Sequence, residues 1–187
     1  MYRAVEVALL CTHVHPAAVD GAFIQANAIS ELCRWSDASE ARVAGLLAKL
    51  ESLARTEPMR LRIGLILEGM ARSWSDEQFL GRVCTPNEFG EQFQIHAAQA
   101  VACALWAFAN EWSRPEVCVI RAVMLGGDTD TVGAMAGALA GAQHGGNWIP
   151  NRWYQAKENG PGIGRDYLMD MGRQLGALDL LSVDPLA

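Results

Sequence analysis

The chain has 187 residues, of which 51% are hydrophobic, so it has the size of one ordinary domain and enough apolar material for a single buried core. Its 15 Lys and Arg against 21 Asp and Glu give a net charge of -6. A chain with this charge lacks the basic surface that binding to DNA or RNA requires. We therefore expect one domain over residues 1–187 that does not bind nucleic acid directly.

The cysteines and the most apolar segments indicate in which cellular compartment the protein is expected. The five cysteines occur singly, with no Cys-x-x-Cys pair, which fits neither a disulfide framework nor a zinc cluster. Glu6 interrupts the short apolar run at the start, which is atypical of a secretory signal. The most apolar stretch, residues 97–109, is shorter than the roughly 20 residues of a membrane span. The sequence predicts a cytoplasmic protein that does not enter the membrane.

Apolar residues recur at three- and four-residue spacing through most of the chain, whereas the alternation typical of a strand is hard to find. The predicted fold class is therefore all-α. Proline at a first helical position and serine at an N-cap mark several helix starts. In the first half, helices are predicted from Pro16 to about Trp35, from Ser36 through Leu53, after Pro58, and briefly after Ser75.

The second half of the chain also follows the helical pattern. Helices are predicted beyond Pro86 through Phe93 to Phe108, from Ser113 to Leu125, from Thr131 to Ala142, and twice after Trp148. The first of these is rich in alanine, which favours close helix contacts. The helix predicted from Thr131 to Ala142 has glycine at every fourth position along one face, namely Gly133, Gly137 and Gly141. Such a face predicts a close approach to another backbone.

The loop from Gly126 to Thr131 separates two of these helices and carries two carboxylates one residue apart. Because two successive glycines are poor helix formers, Asp128 and Asp130 can point to the same side, with the Thr131 hydroxyl beside them. Hard cations such as magnesium bind oxygen ligands and usually keep several waters. The loop is therefore predicted to form an oxygen-rich half of a divalent-metal site, at a helix end that favours anions.

Other interpretations of this loop differ in what they require of the sequence. The plainest is that its carboxylates only cap the following helix. An EF-hand would need an oxygen ligand at Val132 and a glutamate at Leu139, and neither is present. A phosphatase-type Asp-x-Asp loop would be followed by a long α/β domain, whereas 57 residues follow Asp130 (187 minus 130). The capping and metal-site interpretations stay open.

Two segments resemble a known all-α family, the ADP-ribosylglycohydrolases. Its C-terminal motif is similar to the run Gly126 to Thr131, continuing from Met135 to Ala142 and on to Ile149, Pro150 and Trp153. Thr12-His13-Val14-His15-Pro16 resembles the family's threonine-histidine pair before a helix that lines the ADP-ribose cleft. The family includes the dinitrogenase reductase-activating glycohydrolases and enzymes that remove ADP-ribose from serine or arginine.

The resemblance implies a role for each matching residue. Asp128, Asp130 and Thr131 are expected to be metal ligands, and His13 and Gly127 to contact the substrate, ADP-ribose or an ADP-ribosylated protein. Family members bind two magnesium ions between this loop and an N-terminal Thr-Asp-Asp motif. No Thr-Asp-Asp triplet occurs in the chain. We therefore expect a C-terminal half-site, completed by an N-terminal half-domain.

The roles of the histidines and the expected activity each have an alternative interpretation. His13 has a plainer interpretation as a cap for the helix at Pro16. His96 and His144 are predicted to be satisfied core or surface histidines without a role in the site. The expected function is magnesium-dependent hydrolysis of ADP-ribosyl conjugates. The alternative is an inactive relative that binds ADP-ribose or metal, or that has a structural role.

Overall fold

A computed structural model describes residues 1–84 and 94–178 of the chain. Within these ranges the backbone forms ten helices and one short hairpin, so the all-α prediction is confirmed. The helices are α1 (Tyr2–Leu9), α2 (Pro16–Leu32), α3 (Glu40–Leu53), α4 (Glu57–Ala71), α5 (Asp76–Val83), α6 (Ala97–Glu111), α7 (Pro115–Met124), α8 (Thr129–His144), α9 (Asn151–Ala156) and α10 (Arg165–Ala177). Strands β1 (Asn159–Gly160) and β2 (Ile163–Gly164) pair antiparallel.

The chain divides into two compact units, Met1–Trp148 and Ile149–Ala187. The first contains α1 to α8, and the second contains α9, the hairpin and α10. The single domain over residues 1–187 stays a prediction. In the described part of the chain, no helix combines the length and the apolar character needed to cross a membrane.

Helix α6 is the centre of the first unit. Thirteen of its fifteen residues are buried, and it packs against α2, α4, α7 and α8. Seven of the fifteen are alanine, whose small side chains let helices approach closely. The predicted alanine-rich packing helix is thus confirmed, but the helix begins at Ala97, after an extended His96. The part predicted from Pro86 to Phe93 lies outside the described residues.

Helix α5 begins with the cap that the sequence predicts and is tied to the core by its first residue. The Ser75 Oγ accepts the N–H of Gln78 at 3.2 Å, and the Gln78 Oε1 accepts the N–H of Ser75 at 3.0 Å. Asp76 accepts instead from the indole of Trp106 and from the guanidinium of Arg121, both at 2.7 Å. The carboxylate thereby joins α5 to α6 and α7.

The glycine-lined face of α8 meets α7 at one end. A Cβ built on Gly133 would lie 3.0 Å from the Val123 Cγ2, so a side chain there would require Val123 to shift by a few tenths of an ångström. At Gly137 the nearest such atom, on Val119, is 3.7 Å away, and at Gly141 nothing lies within 4 Å. The predicted close approach therefore occurs at Gly133 and is made to a side chain rather than to a backbone.

A buried carboxylate that the sequence did not single out holds the connection between α3 and α4. Asp20, on α2, is fully buried. It accepts the backbone N–H groups of Arg55 and Thr56 and the Thr56 hydroxyl, at 3.1, 2.7 and 2.6 Å. Three donors of this connection are thereby satisfied by one buried side chain.

The second unit is held by a carboxylate on α10. Asp166 accepts the hydroxyl of Tyr154 at 2.6 Å and the side-chain amide of Asn159 at 2.8 Å. The bond from Tyr154 is the largest cause that lowers the pKa of Asp166 below its usual value. The two predicted C-terminal helices are present as α9 and α10. The hairpin was missed because strands of two residues are too short to show alternation.

Replacing Asp20 by alanine should destabilise the first unit strongly. Asp20→Ala leaves the N–H groups of Arg55 and Thr56 without their acceptor, and we expect a loss of about 3 kcal/mol in the free energy of unfolding. Urea denaturation measures this loss. The control is Asp37→Ala, which removes an exposed ion pair with Arg42 and should cost less than about 0.5 kcal/mol. Equal losses in both variants would contradict the role given to Asp20.

Candidate functional site

The loop between α7 and α8 adopts the non-helical path that its glycines allow. Gly126 and Gly127 have φ angles of 76° and 70°, a region that side chains other than glycine rarely occupy. Leu125 closes α7, and Asp128 is the N-cap residue of α8. The predicted break after Leu125 is confirmed, and it presents the acidic residues at the first turn of α8.

The two carboxylates of the loop are one residue apart. The Asp128 side chain makes no capping hydrogen bond to the backbone of α8, so the plain capping interpretation does not describe it. The Asp130 carboxyl accepts the N–H of Thr131 at 3.0 Å. The Asp128 side chain, followed by the backbone amides, holds the pKa of Asp130 below its usual value.

A cavity of about 710 Å³ lies beside the loop. Its polar wall brings together residues at or just before the starts of three helices and one from the middle of α2, namely His13, His15, Gln94, His96, Asp128, Thr131 and Gln25. His13 and two of the predicted metal ligands therefore face one cavity. Asp130 and Gly127 lie in the same loop but outside the cavity wall, and both are exposed.

The four histidines separate into different roles. His15 is the N-cap of α2, and its Nδ1 accepts the N–H of Ala17 at 3.2 Å. The capping role considered for His13 thus belongs to His15. His144 bonds to the carbonyl of Trp112 at 2.8 Å, as expected of a satisfied histidine. His96, predicted to be a core or surface histidine without a role, is exposed, stands at the N-cap of α6 and lines the cavity.

Two glutamines in the cavity wall were missed by the sequence analysis. The Gln94 Oε1 accepts the N–H of Asp128 at 2.9 Å, and Gln94 is 1% exposed. The Gln25 Nε2 donates to the carbonyl of Met135 at 3.0 Å and joins α2 to α8. Each contact spans 34 or more positions of sequence. No local spacing signals such a pair.

The donor set for a cation is small. Across residues 1–84 and 94–178, no group of three or more His, Cys, Asp or Glu side chains is arranged to hold a metal ion. Asp128 and Asp130 supply two carboxylates, and the Thr131 hydroxyl stands next to them in the sequence. Oxygen ligands of this kind suit a hard divalent cation that keeps several waters.

Comparison with known proteins identifies a family model and individual relatives that match different shares of the chain. A family model described as ADP-ribosylglycohydrolase matches residues 1–183. The ADP-ribosylhydrolase ARH3 of Homo sapiens is 28% identical over 178 residues, which cover 79% of this chain and 45% of that protein. The ADP-ribosyl-(dinitrogen reductase) glycohydrolase of Rhodospirillum rubrum is 56% identical over 36 residues, covering 19% of this chain and 12% of that protein. The chain therefore spans less than half the length of the human relative.

The loop's path should depend on glycine at position 126. An alanine Cβ there would meet no atom within 4 Å, but the φ angle of 76° is strained for any side chain. We expect Gly126→Ala to destabilise the protein by about 1 to 2 kcal/mol. Gly45→Ala is the matched control, since Gly45 lies inside α3 and its Cβ also meets nothing within 4 Å. That variant should be more stable by about 0.5 to 1 kcal/mol. Thermal denaturation that ranks the two variants the other way would refute the strain argument.

Proposed function

The chain belongs to the ADP-ribosylglycohydrolase family, and we propose that it forms one wall of a magnesium site at which ADP-ribosyl conjugates are hydrolysed. The observation that carries this proposal is that Asp128 and Thr131 of the loop line one cavity together with His13. Asp128, Asp130 and Thr131 are the proposed metal ligands. His13 and Gly127 are the proposed contacts to substrate.

The charges around the cavity favour a bound cation. Two carboxylates in one short loop concentrate negative charge, which a divalent cation neutralises. ADP-ribose carries a diphosphate, which these carboxylates would repel. A cation between the protein oxygens and the phosphate oxygens satisfies both sets of charges. The residues present therefore fit magnesium, which commonly binds through one or two carboxylates together with substrate phosphates.

The other walls of the cavity suit the less polar parts of the substrate. They are mainly small or apolar, and include Ala22, Ala26, Ile29, Ala100, Val101 and Met135. Ligand sites commonly combine such walls with a few placed polar groups. His13 supplies a polar group on the side of α2, while Asp128 and Thr131 supply oxygens on the side of α8. The bound magnesium would orient the diphosphoribose and lower the pKa of a water for attack on the glycosidic bond.

The rest of the site is proposed to come from outside this sequence. The chain spans 45% of the human relative, and its described residues supply two of the carboxylates that a cation needs. A complementing N-terminal half-domain, in the same or another polypeptide, would provide further ligands. The partners proposed are ADP-ribose and ADP-ribosylated proteins.

A second candidate function is binding without turnover. It is favoured by the small set of charged ligands, because two carboxylates and a hydroxyl can hold a hydrated cation but leave much of its shell to water. Titration of the purified chain with magnesium and ADP-ribose by calorimetry, followed by an assay of ADP-ribose release from modified protein, separates the two. Binding together with release supports the hydrolase, and binding without release supports the alternative.

Neutralising either loop carboxylate should weaken magnesium binding. Asp128→Asn and Asp130→Asn keep the shape of the side chain but remove its charge, so we expect the magnesium Kd to rise roughly tenfold in each. The control is Asp37→Asn, which removes one exposed charge and should leave the Kd unchanged. Isothermal titration calorimetry measures all three. A similar Kd in Asp128→Asn and Asp37→Asn would eliminate the loop as the metal site.

Removing the His13 imidazole should affect the nucleotide and not the metal. We expect His13→Ala to weaken ADP-ribose binding about fivefold, the loss of one hydrogen bond, with the magnesium Kd unchanged. His144→Ala is the control, because His144 bonds to the Trp112 carbonyl and does not line the cavity. Calorimetry with ADP-ribose at saturating magnesium tests both. Equal ADP-ribose affinity in the two variants would argue against His13 as a contact.

A further inference from the structure

A side chain from outside the loop holds it in place. The Oε1 of Gln94 accepts the backbone N–H of Asp128 at 2.9 Å, across 34 positions of sequence. Gln94 is 1% exposed, so water competes little for this hydrogen bond. Asp128 itself is half-buried, while Asp130 is exposed. The bond therefore joins the buried wall of the cavity to the point where the loop enters α8.

Gln94 also lies close to buried cysteines. Cys84 is 3% exposed and Cys103 is fully buried. The pKa of Cys84 is lowered first by Cys103 and also by Gln94. Gln94 is thus placed against the buried core as well as against the loop.

The loop needs such a tether because its own backbone is permissive. Gly126 and Gly127 immediately precede Asp128, and glycine loses more conformational freedom on folding than any other residue. A fixed amide at Asp128 limits how far the loop can turn.

We propose that Gln94 is a positioning residue, which fixes the Asp128 amide and thereby the direction of the Asp128 and Asp130 carboxylates. In this role Gln94 contacts neither metal nor substrate and acts only through Asp128. The effect on the loop follows from the hydrogen bond alone. The effect on magnesium affinity rests on the proposed function.

Amide hydrogen exchange of the full chain, followed by NMR, tests the tether directly. In the wild-type protein the Asp128 amide should exchange at least about fivefold more slowly than an unprotected amide. Gln94→Met keeps the length of the side chain without its acceptor and should raise that rate about fivefold. By calorimetry, Gln94→Met should raise the magnesium Kd about fivefold.

The matched control separates positioning from general stability. Asn110→Leu removes a half-buried amide away from the loop, which donates to the Trp106 carbonyl at 2.9 Å. It should lower the unfolding temperature about as much as Gln94→Met does, while leaving Asp128 exchange and magnesium affinity unchanged. An unprotected Asp128 amide in the wild type, or equal acceleration in Gln94→Met and Asn110→Leu, overturns the proposal. A wild type with a protected Asp128 amide but no magnesium binding overturns the proposed function and leaves the tether supported.

Discussion

The burial of α6 determines where every element of the site can lie. With thirteen of fifteen residues buried, this helix can exchange neither its neighbours nor its orientation without exposing apolar surface to water. Helices α2 and α8 both pack against α6 and against each other. Their first turns thereby meet at one cavity, whose wall contains the N-cap residues of all three helices, His15, His96 and Asp128.

This convergence bears on the ligands that we propose. The first turn of a helix carries a partial positive charge, so three such turns at one cavity would favour a phosphate. Asp128 and Asp130 add negative charge at the start of α8. A divalent cation held by these carboxylates would lie beside a phosphate favoured by the helix ends, which is the pairing that a diphosphate substrate requires.

The parts of the molecule that could be predicted from the sequence are those encoded locally. The helices follow from apolar spacing, and the break at Gly126 and Gly127 follows from two residues that disfavour helix. The match to a family predicted that His13 and Asp128 belong to one site, and the cavity contains both. The contacts of Asp20 with Thr56 and of Gln94 with Asp128 could not be predicted, because each joins positions more than 30 residues apart and depends on packing already being in place.

Asp20 and Gln94 use the same device with different chemistry. Each is a buried side chain whose oxygen accepts a backbone N–H from a distant connection. Asp20 gathers three donors around one carboxylate, where a negative charge strengthens each bond. A third carboxylate beside Asp128 and Asp130 would add negative charge to a loop that already carries two acidic side chains. A neutral amide at position 94 holds the loop without that added charge, so the acceptor chemistry at each place follows from the charges around it.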